Sequence, residues 1–138
     1  MKTMKRKLIL ATSVLAISIM SIAFTNIQQP KPWPVPDKNA KTANAVKSSK
    51  ESVSAGKALW GLHCASCHGK AGLGDGSKAA QLKTQPQDLS TAASQSQSDG
   101  SIFYKISEGR DDMPSFKKKI PDAEDIWNLV NYMRTLKK

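Results

Sequence analysis

Cysteine and histidine are scarce in this 138-residue chain, with two of each. Two cysteines allow one disulfide at most, and Cys64 and Cys67 stand so close that such a bond would close a tiny loop and brace nothing distant. A disulfide framework is thereby excluded, and the spacing points to chemistry at the sulfurs. No stretch reads convincingly as a strand. No cysteine lies near residue 20, which removes the usual route to a lipid-anchored lipoprotein. The length leaves room for one ordinary domain.

Positive charge is plentiful but unevenly placed. The formal net charge is +10. Lys2, Lys5, Arg6 and Lys7 crowd the start, and Lys31, Lys38, Lys41, Lys47 and Lys50 face a single acid, Asp37, across residues 31–50. Residues 51–138 are close to neutral, so a nucleic-acid reading, which needs a basic face on the folded part, has little support. The run Lys117–Lys119 is the exception, read as a solvated loop ahead of a partner-docking patch.

Residues 1–23 have the three parts of a secretory signal: the positive start, an apolar stretch Leu8–Met20, and the small residues Ser21 and Ala23 before Phe24. An uncleaved anchor is the competing reading, because the apolar run can be extended over residues 8–27, near the lower limit of about 20 residues for a membrane span. Either way the remainder is expected outside the cytoplasm, periplasmic or on the outer face of the cytoplasmic membrane. Residues 24–50 read as a linker: Pro32, Pro34 and Pro36 favour extended polyproline structure, and the Lys, Asn, Ala and Ser that follow show almost no apolar periodicity.

The domain is expected over residues 51–138. A first helix is predicted from an N-cap at Ser52 or Ser54 to about Cys64, a middle one around Gly100–Ser107, and a last one opened by Pro121 and Asp122. In the last, Ile126, Leu129, Val130, Met133 and Leu136 recur at helical spacing. Residues 69–98 are rich in Gly, Ser, Gln and Lys and read mostly as loop. Three short helices with long loops bury little apolar surface, so a domain of this kind needs a staple.

The sequence Cys64-Ala65-Ser66-Cys67-His68 matches the haem-attachment pattern C-x-x-C-H. Two thiols at that spacing add across the two vinyl groups of one haem, and the next histidine is held beside the ring to bind iron. A dithiol redox pair would need a preceding strand and a βαβ setting, and a zinc site four ligands without crowding. His63, on the other side of Cys64, is expected to face solvent. For the second axial position the candidate is Met113, in Asp112-Met113-Pro114-Ser115-Phe116, because Met133 belongs to the apolar face of the last helix. A thioether favours ferrous iron and raises the reduction potential. Phe116 can pack on the ring edge. Gly72, Gly74 and Gly76 imitate a phosphate-binding loop, but no strand precedes them and they read as flexible loop.

Over about residues 52–138 the chain resembles the class I cytochromes c. Gly56 and Trp60 stand where that family places a glycine and an aromatic on its first helix, Leu129 and Tyr132 match their partners on the last helix, and Met113-Pro114 matches the distal ligand loop. The resemblance implies an all-α class I cytochrome c fold, three to four short helices and long loops around one covalently bound haem c. It also implies that the glycine lets the last helix cross closely and that a backbone carbonyl, here Pro86, accepts from the proximal histidine. Leu89 and Ile106 are expected to line the pocket and Arg110 to reach a haem propionate. The implied activity is single-electron transfer between redox protein partners, as an electron carrier or as a subunit of an oxidoreductase complex. A haem enzyme or gas sensor with an open sixth position is the rival, distinguished by carbon monoxide binding to the reduced protein.

Overall fold

The computed structural model describes residues 32–138, so the expectations for residues 1–31 (signal or anchor, and the start of the linker) lie outside the described residues. Residues 34–138 form one compact unit. Its elements are α1 (Asp37–Ala40), α2 (Lys50–His63), α3 (Ala65–His68), a 3-10 turn (Ala79–Gln81), α4 (Ala92–Gln95), α5 (Asp99–Glu108) and α6 (Ala123–Arg134), with no strand among the described residues. The fold is all-α, as expected.

The frame is the crossing of α2 and α6. A Cβ placed on Gly56 would lie 2.0 Å from the Asn128 carbonyl oxygen and 2.9 Å from Tyr132 Cβ, so the backbones meet at a separation no side chain permits. The Asp122 side chain caps α6 by accepting from the Glu124 N–H at 2.9 Å, and Glu124 and Asp125 add negative charge to the positive end of the helix dipole. Leu129 and Val130 are wholly buried, and Phe103 of α5 stacks on Trp127 of α6 with ring centroids 4.2 Å apart. Ile102, Ile106, Phe116 and Ile120 complete the apolar core.

The start of α2 differs from the expectation. Its N-cap is Ser49, which accepts from the Ser52 N–H at 3.1 Å. Ser52 is buried, and its hydroxyl instead accepts from Asn131 Nδ2 at 2.7 Å, so the cap falls one turn earlier.

The linker expectation for residues 24–50 is corrected over its second half. Residues 34–49 pack as a strap against α5 and α6. Ser98 Oγ donates to the Ala40 carbonyl at 2.6 Å. Asn131 on α6 donates to the Val46 carbonyl at 3.1 Å and accepts from Asn44 Nδ2 at 2.9 Å. Val46 itself rests on the core. The strap is held chiefly by polar groups, which leave no apolar period to find in the sequence.

Candidate functional site

Cys64 ends α2 and begins α3, so both thiols and the His68 imidazole ride on little more than one helical turn. The amides of Cys67 and His68 donate to the Cys64 carbonyl at 3.1 and 2.9 Å, closing that turn. Neither cysteine is in a disulfide, and both are half-buried. Burial, and secondarily the neighbouring Cys67, pushes the Cys64 thiol up from its ordinary 9.0 to about 12. Burial also pushes the His68 imidazole below its ordinary value, favouring the neutral, metal-binding form.

The helix crossing fixes the backbone just after His68. The Trp60 ring lies 5.7 Å from the His68 ring and 5.8 Å from that of Tyr132, centroid to centroid. Its Nε1–H donates to the buried Gly69 carbonyl at 3.0 Å, and the Tyr132 hydroxyl donates to the Lys70 carbonyl at 3.4 Å. The following loop folds back on the same turn: the amides of Gly74, Gly76 and Lys78 donate to the carbonyls of His68, Cys67 and Ser66 at 2.9, 3.2 and 2.8 Å. A Cβ on Gly76 would stand 2.4 Å from the Ser66 oxygen. This part of the glycine-rich stretch therefore serves a tight backbone approach.

The expected bond from His68 to Pro86 is not made. His68 Nδ1 is buried without a hydrogen-bond partner. The Pro86 carbonyl is packed against Gly74, whose amide holds the His68 carbonyl, so it sits beside the histidine's backbone without engaging its ring. Leu89 donates its amide to Gly72 at 2.8 Å and packs on the core.

Met113 comes from a turn in which Arg110 and Met113 exchange two backbone hydrogen bonds, 2.8 and 2.9 Å long. It is half-buried and packs against the same core as Cys64, Leu89, Ile106 and Phe116, so those candidates border one apolar body. Arg110 is paired with Asp111 at 3.4 Å. His63 is corrected: it is half-buried and edge-on to Phe116, at 6.1 Å between centroids, because that ring fills the space beside the end of α2. Met133 packs on the core, as its place in the periodic face implies. Among the described residues no three or more His, Cys, Asp or Glu side chains gather as a metal cluster.

Three residues escaped the sequence reading. Asn131 is a buried hub, Ser107 carries a buried hydroxyl with no partner, and Asp112 accepts from the Thr84 amide at 2.9 Å. Polar residues among apolar ones carry no periodic signal, and the partner of Asp112 is distant in sequence.

Two thiols outside any disulfide, a half-buried imidazole whose Nδ1 is buried and unpartnered, and a thioether that shares the apolar core with Cys64 are a donor set that fits haem c. The fold and this set define a class I-like c-type cytochrome domain. Residues 51–133 match the family model described as cytochrome c oxidase, cbb3-type, subunit III, and the chain belongs to that family. Among solved structures the chain is similar to one in the reducing HAO-like protein complex of Kuenenia stuttgartiensis, at 24% identity and a TM-score of 0.63, over 78% of this chain and 53% of that one. The chain thus spans about half the length of that neighbour. No curated protein matches the sequence.

Proposed function

We propose that the chain is a mono-haem electron carrier acting outside the cytoplasm, with Cys64 and Cys67 as the covalent attachment points and His68 and Met113 as the axial ligands. When bound, the haem supplies an iron that takes up and releases one electron. The thiols fix the group's position, the neutral His68 imidazole offers a nitrogen lone pair, and Met113 offers a soft sulfur. Ile106, Phe116 and Leu89 keep water from the site. With His68 and Met113 as its ligands the haem would need no bound substrate, and it would supply one-electron exchange with a docked redox protein. The observation that carries this reading is the convergence of Cys64 and Met113 on one apolar core, with His68 held beside it by Trp60.

The partner is inferred to be a larger redox protein, with this chain as its electron-transfer subunit. The family's description names an oxidase subunit, and the structural neighbour belongs to a complex. Export rests on the signal-like build of residues 1–23, and membrane association on the apolar residues 8–27.

Protein matured in a host that attaches haem tests the reading. One haem per chain by intact mass and low-spin spectra in both oxidation states are expected. Met113→Ala should turn the ferric form high-spin and admit carbon monoxide to the ferrous form. Parent protein that is high-spin near neutral pH would defeat the assignment. N-terminal sequencing of the mature protein, with cell fractionation, tests export and anchoring.

A further inference from the structure

The two candidate axial side chains come from separately braced segments. Residues 69–89 travel with His68, because the amides of Gly74, Gly76 and Lys78 are bonded to the α3 turn and Pro86 packs on Gly74. The Met113 turn is braced to α5 instead. Ser115 Oγ donates to the Ser107 carbonyl at 2.6 Å and the Phe116 amide to the Ile106 carbonyl at 3.2 Å. Within that turn Asp111 has φ +53°, the one non-glycine positive φ among the described residues. Such a conformation persists where the surroundings over-determine it.

Asp112 joins the two segments. Its Oδ2 accepts from the Thr84 N–H at 2.9 Å, across 28 residues of sequence. Thr84 precedes Pro86 by two residues, and Asp112 adjoins Met113. The acceptor is a carboxylate and the donor a backbone amide, which makes the bond charge-assisted.

We propose that Asp112 is a positioning residue: by clasping the Met113 turn to the His68-side loop it governs how firmly the Met113 thioether stays on iron. The proposal rests on His68 and Met113 being the axial pair. A soft thioether holds ferric iron less firmly than ferrous iron, so ferric ligation depends most on the local concentration of sulfur that the backbone maintains. Opening the clasp lowers that concentration and frees the sixth position in the ferric state first.

The test is titration of the ferric holoprotein with imidazole, which competes with Met113 for iron, alongside reduction potentials and hydrogen exchange at the Thr84 amide. Asp112→Ala should bind imidazole about fivefold to tenfold more tightly, the scale of a lost hydrogen bond to a charged group that is partly exposed. Its potential should fall and its Thr84 amide should exchange faster. Asp112→Asn keeps an acceptor oxygen and should remain close to the parent. Thr84→Pro removes the donor, leaves the carboxylate in place, and should reproduce Asp112→Ala; it carries the test if that variant fails to mature. Parent-like imidazole affinity in the variant that opens the clasp, with Met113 still on iron, overturns the clasp alone. A parent whose imidazole affinity already equals that of Met113→Ala overturns the assignment of Met113, and the clasp with it.

Discussion

At one end of α2, Ser52, Asn131, Asn44 and the Val46 carbonyl satisfy one another's hydrogen bonds. Twelve residues on, about 18 Å along the helix, Cys64 and Cys67 have no disulfide and His68 Nδ1 is buried without an acceptor. Buried polar groups left unpaired cost stability, whereas paired ones return it. The first end therefore holds the domain together, and the second keeps bonding capacity in reserve for a cofactor. Stability and chemistry are separated along a single helix, with the Gly56 crossing between them.

Removing the reactive end has the largest expected effect. Cys64→Ala with Cys67→Ala should abolish covalent haem entirely, leaving a bare polypeptide by intact mass. Closing the gap between the two ends comes next. Gly56→Ala sets a Cβ 2.0 Å from the Asn128 oxygen and should cost about 3 kcal/mol as overpacking in thermal unfolding. Asn131→Ala strips the satisfied end alone. It should cost about 2 kcal/mol by stranding its partners, with the haem spectrum unchanged; a spectral change would show that the two ends are coupled. Trp60→Phe keeps a ring beside His68 but loses the bond to the buried Gly69 carbonyl, for about 1 kcal/mol in the same assay.

Acid should have the smallest effect. The Ser90 hydroxyl and amide hold the Asp88 carboxyl below its ordinary 3.8. A lowered folded-state pKa stabilises the fold above that ordinary value, and the contribution fades as pH falls through the lowered one. Asp88→Asn should flatten that part of a stability-against-pH curve.

The reactive end was the more legible in sequence. Cys64, Cys67 and His68 fall within five residues, so their meeting follows from local geometry, whereas the crossing of Gly56 and Trp60 with Leu129 and Tyr132 was legible only through the resemblance to the class I cytochromes c. The Asp122 cap was equally plain, because capping needs a short polar side chain at one position. The satisfied end was hidden. Its bonds join residues as far apart as Asn44 and Asn131, and a polar strap looks like a solvated linker until its partners are known. His63 misled for a related reason, since only the folded chain brings Phe116 beside it.

The strap also sets a practical limit on how this module can be cut and moved. The family match begins at residue 51, but the compact unit begins at Pro34. A fusion made at the family boundary would leave Asn131 facing water where Asn44 and Val46 belong, whereas one made at Pro34 would carry the whole unit onto a different anchor or partner.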